Sequence, residues 1–125
     1  MKIELPKIWR ESLTQQRDIS QIIKELIAQI IKDFSMFGEE LHFNEEAEKS
    51  YQYLYGQLEK YLRDGFSSRI ESLYPILYRI DILEKDIKKA MTPQKHTDFL
   101  GEITELIIIK ELQKVIIKRY YQSKS

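Results

Sequence analysis

ELIIIKELQKVIIKRYY, running from Glu105 to Tyr121, reads as a helix, yet its apolar residues do not keep to one side. A helix advances by about 100° per residue. By that step Phe99, Leu100, Ile103, Leu106 and Ile107 share one arc. Ile108, Ile109, Leu112, Val115 and Ile116 share another, about half a turn round. One groove of a helical bundle does not easily cover both arcs, so the stretch predicts surplus apolar surface. The helix starts at Thr92-Pro93 or at Thr97-Asp98 and ends near Tyr121. Its acids come early (Asp98, Glu102, Glu105) and its bases late (Lys110, Lys114, Lys118, Arg119), the order that the helix dipole favours.

Working backwards, the periodicity predicts three more helices. The first runs to about Phe37, with Ile19, Ile22, Ile23, Leu26, Ile27, Ile30, Ile31 and Phe34 on one broad face and Lys24, Glu25, Lys32 and Asp33 opposite. Leu5, Ile8 and Trp9 keep the same phase, so this helix is either continuous from Pro6 or broken near residues 14–18, with Asp18 recapping it. The second spans about Glu45 to Arg63, with Asn44 as its N-cap and Ala47, Tyr51, Leu54, Tyr55, Leu58, Tyr61 and Leu62 as its stripe. The third carries Ile70, Leu73, Ile76, Leu77, Ile80, Leu83, Ile87 and Met91. Pro75 either kinks that helix or sits in the first turn of a restart capped by Ser72. Gly38 and Gly65 follow periodic segments, where a helix stop favours a residue tolerant of positive φ.

Four amphipathic helices with short polar loops predict an all-α chain, a single domain over 1–125 built as an antiparallel up-down four-helix bundle. The third helix also carries surplus apolar surface, because Tyr74, Tyr78 and Ile82 lie away from its core stripe. Large apolar patches on soluble proteins mark binding surfaces, and a second copy is their commonest occupant. The expected interface is therefore Tyr74, Tyr78, Ile82, Ile108, Ile109, Leu112, Val115 and Ile116, used by a homodimer or by another protein. The competing expectation is that an N-terminal arm with Leu5, Ile8 and Trp9 folds over the same surface.

Composition narrows the function classes. Apolar residues make up 42% of the 125 residues and charged residues 32%, and twenty basic side chains balance twenty acidic ones. Zero net charge argues against a broad nucleic-acid or anionic-membrane footprint. The absence of cysteine excludes disulfides and thiol chemistry and fits a reducing cytoplasm. The start, MKIELPKIWRE, lacks the layout of a signal peptide. The run Leu106 to Ile109 is far short of the roughly 20 apolar residues of a membrane span.

Motifs for chemistry are sparse. A di-iron bundle needs Glu-x-x-His on two helices, and the sequence has one match, Glu39 to His42, in an expected loop; His96 lies in another. There is no nucleophile elbow and no glycine-rich phosphate loop, so no catalytic, metal or cofactor residue is assigned. Glu84, beside the third helix's core stripe, is either a boundary residue with a wet head or half of an ion pair or metal site. Tyr51, Tyr55 and Tyr61 read as core or boundary residues, with an interior ligand pocket as the alternative. Lys110, Lys114, Lys118, Arg119 and Lys124, with Tyr120 and Tyr121, allow weak nucleic-acid binding or simply complement the helix dipole.

Ile76 to Asp81 (ILYRID) and Glu111 to Val115 (ELQKV) resemble segments of short, uncharacterised all-helical bacterial proteins, over about the C-terminal half. The resemblance implies no activity and adds no site. Within it, Arg79 and Asp81 flank Ile80 and are the polar residues expected to form an inter-helix ion pair. The sequence thus points to a small non-enzymatic protein that self-associates or binds protein through its third and fourth helices. A metal- or small-ligand-binding bundle and a weak nucleic-acid binder are the alternatives.

Overall fold

The computed structural model describes residues 16–91 and 99–123. The N-terminal arm, His96 and both expected starts of the last helix lie outside the described residues. Among these the fold is all-helical, as expected, but with five α-helices rather than four. They are α1 (Gln16–Ser35), α2 (Tyr51–Phe66), α3 (Tyr74–Arg79), α4 (Glu84–Ala90) and α5 (Phe99–Ser123).

The long α1 follows from its isoleucine stripe: Ile22, Ile23, Leu26, Ile27, Ile30 and Phe34 are all buried. Each such side chain, fully buried, stabilises by about 1.5–3 kcal/mol. Gln16 and Arg17 are already helical, so Asp18 does not recap a new helix. The helix stops at Gly38, whose φ of 80° is open to glycine at little cost. Glu39 N–H donates to Phe34 O at 3.2 Å and Gly38 N–H to Ser35 O at 3.1 Å, which satisfies two carbonyls of the last turn.

Asn44 does cap a helix, accepting from Glu46 N–H at 3.0 Å, but only a single 3-10 turn, Glu45–Glu48. Ser50 then starts α2 by accepting from Tyr53 N–H at 3.2 Å. The expected helix from Glu45 to Arg63 is therefore two elements, because Ser50 supplies a second N-cap. Gly65 lies inside α2 instead of stopping it.

The expected third helix differs most. A 3-10 turn (Ile70–Leu73) leads into the short α3, and Pro75 sits harmlessly in the first turn with no side-chain cap from Ser72. The chain then stops again at Asp81, a non-glycine residue at φ 72°. Ile82 N–H donates to Leu77 O at 2.9 Å and Asp81 N–H to Tyr78 O at 3.1 Å, the same double bond as at Gly38. Leu77 and Ile82, which bracket the stop, are both buried, and their burial offsets the strain at Asp81. The chain restarts as α4.

Helix α5 lies at the centre. It runs antiparallel to α1, since Glu25 pairs with Arg119 near one end and Asp33 with Lys114 a few turns away. It meets α2 where Tyr55 Oη donates to Gly101 O at 3.2 Å, and α3 where Lys114 Nζ donates to Arg79 O at 3.3 Å. Its buried positions are Leu100, Gly101, Ile103, Thr104, Ile107, Ile108, Glu111, Leu112 and Val115. These span about half the helix circumference and draw on both arcs of the sequence. The apolar stripe does not shift midway. One broad face is shared among α1, α2, α3 and α4.

Candidate functional site

The eight residues expected to form an interface do not lie on one surface. Ile82, Ile108, Leu112 and Val115 are buried within the chain. The expected stripe of Tyr74, Tyr78 and Ile82 does not form, because α3 ends at Arg79 and the stop at Asp81 turns Ile82 inward. Tyr74 is half-buried, with its hydroxyl 3.7 Å from Met91 Sδ, and Tyr78 is exposed. Only Ile109 and Ile116 keep surface on the last helix.

Those two belong to a different stripe. Leu106, Ile109, Gln113, Ile116 and Tyr120 follow one another at spacings of three and four, and Glu102 precedes them by four. They lie on the side of α5 opposite its core face. Leu106, Ile109 and Ile116 are half-buried, Ile117 beside them is 55% exposed, and Tyr120 is 53% exposed. Tyr120 packs edge-on against Tyr121 at 5.5 Å between ring centroids. An apolar seam at 3–4 spacing on the solvent side of a helix is the pattern that receives another helix.

The inward face of α5 holds charge that the sequence reading missed. Asp33, expected on the polar side of α1, is buried, and Glu111 is wholly inaccessible. Arg79 Nε donates to Asp33 Oδ1 at 3.1 Å, and Gln29 Nε2 to Asp33 Oδ2 at 3.1 Å. Lys114 Nζ sits 3.6 Å from Asp33 Oδ2 and 3.5 Å from Glu111 Oε1. Arg79 does form an inter-helix ion pair, but with Asp33 of α1; Asp81 serves as the helix stop instead.

Burial pushes the Glu111 carboxyl up to about 9; hydrogen bonding to Asp33 and that residue's charge add to this, and Lys114 opposes it. Burial also works against Asp33, yet its carboxyl is held below the ordinary value by hydrogen bonds from Glu111 and Gln29, the charge of Lys114 and the bond from Arg79. At neutral pH Glu111 is therefore a neutral acid donating to an Asp33 anion, with two cations beside them. The group holds a proton between α1 and α5.

The remaining candidates are occupied or exposed. Glu84 is exposed at the start of α4 and pairs with Lys88 at 3.5 Å. Among the described residues no group of three or more His, Asp or Glu side chains is placed to hold a metal ion. His42 is exposed in the loop after Gly38 and lines an open depression of about 470 Å³ with Phe43, Asn44, Gln57, Lys60, Tyr61 and Asp64. Tyr61 donates to Glu39 Oε2 at 3.0 Å, and Arg69 Nη1 lies 3.1 Å from Glu39 Oε1 while its guanidinium covers Phe66 at 4.3 Å. These contacts tie the loop after α1 to the end of α2. In the basic last turns, Arg119 is held by Glu25 at 2.7 Å and Lys114 by the buried acids. Among the described residues no helix is long and apolar enough to cross a membrane. Comparison with protein-family models, curated proteins and solved structures found no match to this chain.

Proposed function

We propose that this is a non-enzymatic helical protein that acts through protein–protein association, self-association foremost, on the outer face of α5. The observation that carries the reading is Ile109, Ile117 and Tyr120, which keep surface on the side of α5 away from the core, with the half-buried Leu106 and Ile116 at the edges of that seam and packed partly against the core. Helices α1 to α4 share the other half of α5, and Ile109, Ile117 and Tyr120 are not part of the core they close. Exposed apolar stripes of this kind are costly in water and persist where a partner covers them. Relative to the expectation from sequence, the working surface narrows to the last helix, with Tyr78 at most a neighbour.

The test separates surface from core. Ile109→Lys and Ile117→Lys are expected to leave the dilute protein folded, with stability changed by no more than about 0.5 kcal/mol. Thermal melts followed by circular dichroism read this directly. If either variant unfolds the protein, the face is structural and the reading is withdrawn.

A further inference from the structure

Resting on that reading, we infer that the occupant of the outer face is α5 of a second copy, docked antiparallel about a two-fold axis near residue 111. The seam positions are Glu102, Leu106, Ile109, Gln113, Ile116 and Tyr120, spaced 4-3-4-3-4. That alternation is the heptad seam, and what fits it is another helix with the same spacing. A two-fold contact needs a self-complementary patch, and this seam is one in a single register. Glu102 then faces the partner's Tyr120, Leu106 faces the partner's Ile116, and Ile109 faces the partner's Gln113. Each acid of the seam meets a hydroxyl-bearing ring, and each branched side chain meets a side chain of another shape.

A parallel pairing fits worse. It stacks Glu102 on Glu102, Glu105 near Glu105 and Gln113 on Gln113, and it aligns the two helix dipoles head to head. The antiparallel arrangement opposes the dipoles and separates the glutamates. From Glu102 to Tyr120 the seam extends about 27 Å. A single pair of helices that long lies at or below the low end of specific interfaces, so the dimer is reversible and its population rises with concentration.

The experiment uses the full chain. Light scattering on a sizing column across a concentration series is expected to show a mass rising from one chain toward two, and Ile109→Lys is expected to hold it at one. The chain has no cysteine, so single cysteines report the register cleanly. Leu106→Cys and Ile116→Cys, one carrying a size tag, are mixed and oxidised after circular dichroism confirms both fold. The mixed cross-link is expected to exceed either self-link severalfold, because like positions sit about 15 Å apart along the seam, beyond disulfide reach. Glu102→Cys with Tyr120→Cys repeats the test should either variant fail to fold. Dominant self-links, or a dimer indifferent to Ile109→Lys, overturn the inference. So does a constant single-chain mass, which assigns the face to a different protein while the melting test still stands. Unfolding of Ile109→Lys removes the reading beneath both, and hands the face to another segment of the same chain.

Discussion

The two sides of α5 invert the usual expectation for a helix at the centre of a small protein. The inner side carries a carboxyl group at its middle, Glu111, with no accessible surface. The outer side carries isoleucines and a tyrosine in contact with water. Both sides are apolar enough in sequence to be core. What separates them is which neighbouring helices arrive, and the inner side receives α1, α2, α3 and α4. Hydrophobicity counted along a helix therefore does not say which face is covered; the stops at Gly38 and Asp81 decide it by steering the other helices.

The largest expected effect comes from placing one substitution on each side. Leu112 is fully buried and Ile109, three residues earlier, is half-buried on the outer face. Leu112→Lys removes a packed side chain and puts a cation in its place. It is expected to cost more than about 4 kcal/mol and leave the chain unfolded or insoluble. Ile109→Lys is expected to melt like the parent in dilute solution. Equal melting temperatures for the two variants would erase the distinction between the faces. Leu112 was an obvious choice for breaking an interface from sequence alone, and in the fold it tests only the core.

A smaller effect sharpens the inner side through pH. The Glu111 carboxyl is raised from 4.5 to about 9 in the folded protein, so folding binds a proton between those values. Where the folded state holds the extra proton, stability falls as pH rises, by about 1.4 kcal/mol per pH unit for one such group. Glu111→Gln keeps the shape and an N–H donor for Asp33 and carries no proton to lose. It is expected to match the parent near pH 4.5 and to be more stable by on the order of 5 kcal/mol near pH 8. Asp33 works in the opposite sense, adding stability above its ordinary value that is lost in acid, so both proteins weaken together below about pH 4. Urea melts at several pH values read the gap. A gap that stays constant with pH would mean Glu111 is ionised in the fold.

Much of the architecture was legible because it follows local rules. The isoleucine stripe of α1 and the glycine at Gly38 each have one meaning in a helical chain and appear where the pattern put them, while Asn44 caps, but only a 3-10 turn. The failures share a cause. At Asp81 a residue without glycine's freedom takes φ 72°, in a stop bracketed by the buried Leu77 and Ile82, and no glycine in the sequence marks the place. The apolar period simply runs through it from Ile70 to Met91. Ser50 was missed for a related reason, since the run from Glu45 already had a cap and did not need a second. Asp33 and Glu111 were missed because each looks like an ordinary surface charge beside its neighbours. Glu111 alone gave a faint signal, an acid flanked by Ile107, Ile108, Leu112 and Val115 at helical spacing. Its partner on α1 appears only when the two helices are brought together.

The smallest expected effect on stability lies on the outer side, at Gln113. It is the one uncharged polar residue inside the seam, between Ile109 and Ile116. A polar residue in a helical seam costs affinity and restricts which registers are tolerated, since sliding the pair buries its amide against groups that do not hydrogen-bond it. Gln113→Leu removes both the cost and the restriction. The dilute monomer is expected to keep its melting temperature, because Gln113 is not buried in the chain. The dimer is expected to tighten several-fold by light scattering, with species larger than two chains appearing as the register loosens. A tighter dimer without larger species would mean the register is set elsewhere along α5. A weaker dimer would mean the Gln113 amide makes a specific bond across the two-fold, and the apolar side chains of the outer face then contribute less to association than their number suggests.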